Sequence, residues 1–229
     1  MKRLLLPLLI SLFCYTADAQ KLARVNFTSN GDVESIGFEL DEGVLVNVTK
    51  EGTIAKFGVD IYKGVRENYR GDLQDYVGRI EYFTENDNEA FRGKVKSIGR
   101  AAITYYASFD KEELVGKIKS IGNVAFDYYM AHENDAYKGK LKSAGSTGFT
   151  YYGSHDNEAL RGKFKSVGNS SITYYTSLED AGFKGKVKSI GSYAYTYYPA
   201  QYFRTELRGR IKSGSLIQQE GTIKYFLKY

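Results

Sequence analysis

The stretch that decides the fold begins at Gly93 and reads GKVKSIGRAAITYYASFDKEELV through Val115. Its pattern returns in units that begin at Gly116, Gly139, Gly162 and Gly185. The first four units are 23 residues long, and the fifth has 24. A fixed period of this length is typical of repeat architectures. The sequence therefore predicts one array of equivalent structural units over residues 93–208.

Shorter and less regular copies of the unit start flank this block. GRIKSG follows at Gly209, and GDVESIG, GTIAKFG, GRIEYF and GTIKYF begin at Gly31, Gly52, Gly78 and Gly221. Terminal repeats deviate because their outer sides meet solvent instead of a neighbouring unit. We therefore divide the chain into residues 1–19, a cap of degenerate repeats at 20–92, five regular repeats at 93–208 and a C-terminal cap at 209–229.

Each unit predicts two short strands joined by a tight turn. The stretch Lys94–Ile98 alternates in polarity, and Ala102–Tyr106 is rich in the β-branched and aromatic residues that strands favour. Gly99 lies between them and is followed by Arg100, and the other units have Asn or Ser after the equivalent glycine. Glycine at the first central position is the signature of a two-residue type II′ hairpin turn.

The length of this turn decides which side chains share a face. The two-residue turn predicts one face with Ile98, Ile103 and Tyr105, and an opposite face with Val95, Thr104 and Tyr106. A three-residue loop would shift the register by one residue and bring Val95 onto the face of Tyr105. The three-residue loop gives the cleaner apolar face. The polarity pattern therefore favours the three-residue loop, whereas the position of the glycine favours the two-residue turn. We base the prediction on the glycine.

The connections between units predict a different local structure. Asp110–Gly116 and Asp156–Gly162 each begin with a capping residue, continue with helix formers and end with glycine. This order predicts one helical turn closed by a glycine in the left-handed conformation. Pro199 lies in the one 24-residue unit, where we expect a β-bulge.

These features predict an all-β fold in which tandem hairpins form an antiparallel meander, as a single-layer or curled sheet. Equivalent strands would then lie roughly 9.6 Å apart, against about 4.8 Å in a β-solenoid. The 23-residue period also permits the solenoid. A small outer-membrane β-barrel is a further alternative, because Ile223–Tyr229 alternates in polarity and ends on an aromatic residue. The repeat strands are shorter than the roughly 9–11 residues that span a membrane.

The first 19 residues have the three-part layout of a secretory signal peptide. Lys2 and Arg3 precede an apolar run from Leu4 to Phe13, and Ala17–Ala19 supplies a small-x-small cleavage signal. We expect cleavage after Ala19 and export to the bacterial periplasm or cell surface. Cys14 would leave with this segment, and a cysteine-free exported chain suits a bacterial envelope.

The run of Tyr-Tyr, an acidic loop, Gly-Lys-aliphatic, Gly and a further Tyr-Tyr strand resembles the YD repeats of bacterial RHS-type proteins. It is also similar to uncharacterised secreted bacterial proteins built from Gly-Arg/Lys-aliphatic-x-x-Ile-Gly strands. The similarity covers roughly residues 78–214. No unit has Asp directly after its Tyr pair, where Ala107, Met130, Gly153, Thr176 and Pro199 stand. The resemblance implies a hairpin-repeat architecture and carries no activity.

Composition excludes several classes of function. The chain has 1 Cys and 2 His, too few for a disulfide framework or a Cys/His zinc site. Its net charge of +5 is mild, so we expect no nucleic-acid partner. No Ser-His-Asp set or phosphate-binding glycine loop is found. We therefore expect a protein that is not an enzyme and has no cofactor and no metal site.

Two loop features are candidates for metal sites. His132 and His155 occupy the same offset in adjacent units, but Phe109, Leu178 and Gln201 occupy it elsewhere, which favours solvated loop residues. Acidic loops such as Asn86–Glu89 lack the alternating oxygen spacing of a calcium loop, which favours turn and capping roles. Whether they bind calcium stays open.

The best candidates for ligand contact are the repeated tyrosine pairs. They are Tyr105/Tyr106, Tyr128/Tyr129, Tyr151/Tyr152, Tyr174/Tyr175 and Tyr197/Tyr198. Tyrosine covers a sheet with its ring while its hydroxyl meets water, so a structural role competes with a binding platform. Lysines such as Lys94 and Lys96 are expected to lay their stems over these rings. The sequence thus predicts a structural or binding module whose partner is a cell-surface glycan or an envelope protein. A shell segment of a toxin system is the alternative, and membrane association stays open.

Overall fold

The computed structural model describes residues 21–60 and 72–228, and its regular structure there is almost entirely β. It contains 19 strands and two short 3₁₀ helices, Asp41–Gly43 and Thr205–Leu207. The all-β prediction is confirmed. The predicted signal peptide lies outside the described residues.

The first four strands form antiparallel neighbours in one sheet. They are β1 (Lys21–Phe27), β2 (Val33–Glu39), β3 (Val44–Val48) and β4 (Ile54–Val59). Two of the degenerate unit starts, at Gly31 and Gly52, form the turns before β2 and β4, each with a positive φ. The Gly-x-aliphatic pattern therefore marks the beginning of a strand outside the regular repeats as well.

The repeats build a second sheet of eleven strands, here called the repeat sheet. Its members are β5 (Ile80–Tyr82), β6 (Val95–Ile98), β7 (Ala101–Tyr105), β8 (Ile118–Ile121), β9 (Val124–Tyr128), β10 (Leu141–Ala144), β11 (Thr147–Tyr151), β12 (Phe164–Val167), β13 (Ser170–Tyr174), β14 (Val187–Ile190) and β15 (Tyr193–Ala194). Neighbours in the sheet are consecutive in the chain and antiparallel, which confirms the hairpin meander. The sheet is open, with β5 and β15 at its edges, so the alternatives of a solenoid and a closed barrel are wrong.

The last four strands complete both parts of the fold. They are β16 (Thr196–Tyr197), β17 (Ile211–Ser213), β18 (Ile217–Glu220) and β19 (Ile223–Leu227). The short strands β16 and β17 pair with each other and continue the meander. The β18–β19 hairpin joins β1–β4, because β19 runs parallel to β1. The resulting six-stranded sheet, in the order β18-β19-β1-β2-β3-β4, is here called the covering sheet.

The covering sheet packs on one face of the repeat sheet, and both contribute to one hydrophobic core. The rings of Phe38 and Phe126 meet across the layers at 4.9 Å. At the β3–β4 turn, the carbonyls of Lys50 and Gly52 accept the backbone N–H groups of Leu141 and Ile118 at 2.7 and 2.9 Å. The sequence did not predict this second layer, which leaves only one face of the repeat sheet free.

The hairpin turn has the predicted two-residue length. Ile98 pairs with Ala101 across Gly99, whose φ is +57°. The prediction that Val95 faces away from Ile98 is wrong, since both are buried. The reason is a bulge at the second lysine of each unit, a feature that adds one residue to one strand. In β6 the partners of Glu81 and Tyr82 are Ser97 and Val95, so the residue between them is the extra one.

The loops between units adopt the predicted turn. Each ends in a glycine with φ between +69° and +75°, at Gly93, Gly116, Gly139, Gly162, Gly185 and Gly209. The 24-residue unit has a register shift between Thr196 and Tyr197, but other units have the equivalent shift, and Pro199 itself lies in a loop. The extra residue of that unit is instead accommodated in the loop between Tyr198 and Gly209, where Thr205–Leu207 forms a 3₁₀ helix.

Candidate binding face

The structure divides every tyrosine pair between two environments. The first tyrosines are buried among the core residues, at Tyr105, Tyr128, Tyr151, Tyr174 and Tyr197. The second tyrosines are half-buried against that core, at Tyr106, Tyr129, Tyr152, Tyr175 and Tyr198. On the face of the repeat sheet that points away from the covering sheet, a ligand can therefore touch only the second member of each pair.

The first tyrosines tie the two strands of their own unit together. The hydroxyl of Tyr128 donates to the carbonyl of Ile118 at 2.7 Å, and Tyr105, Tyr151 and Tyr197 make the equivalent bond. Burial raises the pKa of all five phenols. All five phenols are therefore protonated at neutral pH. Four of them donate the bond described here, whereas the buried hydroxyl of Tyr174 has no hydrogen-bond partner among the described residues.

The second tyrosines tie each unit to the next. The hydroxyl of Tyr129 donates to the carbonyl of Phe149 at 2.9 Å, and Tyr106, Tyr152 and Tyr175 repeat this bond. The ring of Tyr129 also packs edge-on against the loop residue Tyr137, at 4.6 Å between centroids. The second tyrosines are thus framework residues whose outer edges border the free face.

The two lysines of each unit lie over these rings, as predicted. The first lysines, such as Lys117, stand 5.2–5.6 Å from a first tyrosine. Burial lowers their pKa. The second lysines, such as Lys119, stand 5.1–5.8 Å from the second aromatic residue of the preceding unit. Cation–π contacts therefore alternate along the array.

The free face of the repeat sheet carries short side chains in rows of three, here called the outer triplets. Register places Thr104, Ser120 and Ala125 side by side on β7, β8 and β9. The other complete triplets are Glu81–Ser97–Ala102, Asp127–Ser143–Gly148, Thr150–Ser166–Ser171 and Thr173–Ser189–Ala194. Three of the five hold a hydroxyl pair at 2.6–2.7 Å, and in a fourth the hydroxyl of Ser97 donates to Glu81 at 3.2 Å. Sequence analysis missed this feature, although every regular unit has Ser after its second lysine.

The charge beside the outer triplets is largely balanced. Lys142 forms an ion pair with Glu133 at 3.2 Å, and Lys188 pairs with Glu179 at 3.3 Å. Both pairs are partly exposed, and such pairs contribute little to stability. The face is therefore polar and rich in hydroxyl groups, without a strong charge of one sign.

The acidic loops use their oxygens within the fold. Asn134 Oδ1 accepts the backbone N–H of Ala136 at 2.9 Å and that of Ser154 in the next loop at 3.1 Å. Asp156 caps the N–H of Gly153 at 2.6 Å. These contacts are the predicted turn and capping roles. His132 and His155 are exposed, and the described residues hold no cluster of three or more His, Cys, Asp or Glu side chains.

A cleft of about 440 Å³ opens where the covering sheet ends at β4. Ile54 and Phe57 form one wall, and Tyr82 and Val95 of the repeat sheet form the other. This cleft lies at the first end of the repeat array and not beside the outer triplets. The most extended repetitive surface of the protein is therefore the free face.

The raised tyrosine pKa values predict a stability that depends on alkaline pH. A phenol with a raised pKa in the folded state stabilises the fold fully below its unfolded pKa of about 10 and loses that contribution as the pH rises through the folded value. The first lysines act in the opposite sense, because their pKa is lowered. We expect phenolate absorbance from the first tyrosines to appear only together with loss of near-UV circular dichroism. Their ionisation in a still folded protein would contradict this.

Comparison with known proteins gives no relative: no protein-family model, curated protein or solved structure matches the chain. No helix in the described parts of the chain is long and apolar enough to cross a membrane. Any functional conclusion therefore depends on the geometry itself.

Proposed function

We propose that this protein is an exported, non-catalytic binding module of the bacterial envelope, and that the free face of its repeat sheet binds a linear glycan. The observation that carries the proposal is the series of outer triplets, which offers a similar row of polar side chains, with a central serine, at successive hairpins. Equivalent triplets are two strands apart, roughly 9.6 Å. A polymer of repeated sugar units can meet such a surface in equivalent positions along its length.

The chemistry of the face suits a polyhydroxylated ligand. A hydroxyl group can donate one hydrogen bond and accept two, so the Thr–Ser pairs retain capacity after bonding each other. The outer edges of Tyr129 and Tyr152 lie at the margin, where aromatic rings contact the apolar faces of sugars. Export is supported by the predicted signal peptide, and recovery of a periplasmic chain beginning at Gln20 would check it.

Binding is best tested by adding bulk to the free face. Ala125, Gly148 and Ser171 are exposed, and a Cβ added at Gly148 would meet no atom within 4 Å. We expect the triple variant Ala125→Arg/Gly148→Arg/Ser171→Arg to remain folded and to lose at least about tenfold in affinity. Pull-down with insoluble β-linked glucan, chitin and peptidoglycan measures the effect.

The matched control places the same three arginines off the face. Ser146→Arg/Asn169→Arg/Ser192→Arg changes the second turn residue of three hairpins, where the first unit already has Arg100. This control should bind as the wild type does. Equal binding by both variants, or no binding of wild type to any of the glycans, would reject the proposal. Substitution of buried Tyr151 or Tyr174 would be a poor test, since it would disturb the core.

A further inference from the structure

The array of repeats begins and ends with complementary halves of a unit. Counted by the repeat, β5 is a second strand, because Ile80 and Tyr82 stand where Ile103 and Tyr105 stand one unit later. The strand β17 is a first strand, because Ile211 and Ser213 stand where Val95 and Ser97 do. Each end therefore has one strand of a hairpin whose other strand is missing.

In the chain itself, neither half-unit is completed by the described residues. The chain before β5 runs to the covering sheet instead, where Gln74 bridges Val59. At the other end, β17 pairs only with β16. The strand directions allow the sheet to continue from one end of the array to the other. β17 is antiparallel to β16, and β5 is a second strand of its unit, as β16 is.

Burial shows the same incompleteness at the first end. Tyr82 is 52% exposed, whereas the five first tyrosines at the equivalent position are 1–7% exposed. Ile80 is only partly buried, although Ile103 and its equivalents in the regular units are buried. The missing neighbour would cover these side chains.

The second end lacks the matching contacts. Ile211 is partly buried, whereas Val187 and the other residues at its position are buried. The hydroxyl of Tyr198 makes no hydrogen bond with described residues, although the other second tyrosines each donate to the next unit. Arg210 takes the place of a first lysine and has an exposed side chain.

The first-lysine contact shows how the two ends fit. Lys94, Lys117 and Lys140 each donate to the carbonyl of the next unit-starting glycine, at 2.5, 2.8 and 3.2 Å. The carbonyl of Gly93 accepts no such bond within the described part of the chain, since the unit before it is incomplete. At the opposite end of the array, the side chain of Arg210 makes no hydrogen bond with the residues that the structure describes.

We propose that copies of this chain associate head to tail, with β17 of one copy pairing with β5 of the next to complete a unit between two molecules. Extending the repeat geometry places Ser213 opposite Arg79 and brings Arg210 to the carbonyl of Gly93. The hydroxyl of Tyr198 meets the carbonyl of Ile80, and that of Tyr82 meets the carbonyl of Ile211. Such a heterologous contact produces an open filament or a ring. It is independent of the glycan proposal.

Disulfide trapping tests the register directly. Opposite residues of antiparallel strands have Cα atoms about 4.5–5.5 Å apart, within disulfide range. In a Cys14→Ser background, we expect Arg79→Cys/Ser213→Cys to form a ladder of covalent oligomers on mild oxidation. The control Asn169→Cys/Ser213→Cys, with one cysteine at an exposed turn, should give no ladder. Equal products from both variants, or none beyond a dimer, would overturn the proposal.

Sedimentation of the protein without cysteines provides the second measurement. We expect the mean mass to rise with concentration and Tyr82→Asp or Arg210→Glu to weaken association about tenfold or more. Both side chains are exposed, so neither change should impair folding. Phe109→Asp, which alters an aromatic side chain that is 85% exposed in a loop, is the control. A mass that stays that of the monomer at every concentration would also overturn the proposal.

Discussion

Phe164→Ala is expected to lower the free energy of unfolding by about 3–5 kcal/mol, the range typical of a large aromatic residue removed from a core. Phe164 has no exposed surface and lies between Phe149 and Tyr151, with ring centroids 5.4 and 4.9 Å away. Its removal leaves a cavity beside Phe149 and Tyr151 of β11. Urea unfolding followed by circular dichroism measures the loss.

Two controls separate the cavity from other effects. Phe109→Ala removes a ring that is 85% exposed and should change stability by less than about 0.5 kcal/mol. Phe164→Leu supplies the residue that occupies the same position in the preceding unit, Leu141, and should restore most of the loss. If all three variants unfolded at the same urea concentration, the packing described for this core would be wrong.

Gly52→Ala is expected to lower the free energy of unfolding by about 2–4 kcal/mol, because conformational strain and overpacking both act at this position. Gly52 has a φ of +84°, and a Cβ there would overlap the hydroxyl oxygen of Tyr128. That hydroxyl is held by the carbonyl of Ile118, so the ring cannot move aside without losing a buried hydrogen bond.

Gly221→Ala is the matched control for this contact between the sheets. Gly221 also has a left-handed conformation, with φ +62°, but a Cβ there would meet nothing within 4 Å. Gly221→Ala should lower the free energy of unfolding only by the conformational strain of the new residue, about 1–2 kcal/mol. Equal losses for the two variants, measured by thermal and urea unfolding, would show that Gly52 does not touch Tyr128 in the folded protein.

Local features of the repeat were predictable because local chemistry decides them. The glycine turn, the capped loop and the antiparallel meander all depend on residues within one unit. The face on which Val95 lies was not predictable from the alternation of polar and apolar residues. The bulge at Lys96 adds one residue to the strand and interrupts that alternation. A bulge leaves no signature in a period-two pattern unless its position is known.

The covering sheet was not predictable for a different reason. The parallel pairing of β1 with β19 joins segments at opposite ends of the described chain, and no short-range pattern encodes it. The same layer decides which tyrosine of each pair is buried. The outer triplets were overlooked because small residues look uninformative one at a time and become a surface only when register aligns them.

The β1–β19 pairing also determines when the fold can be completed. Arg24 and Lys224 are partners although 200 residues separate them, so this contact has a very high contact order. During synthesis, β1 emerges first and must wait for the last strand, while the hairpins between them can already form from neighbouring residues. We therefore expect the regular repeats to form early and closure of the covering sheet to be the slow, late step of folding.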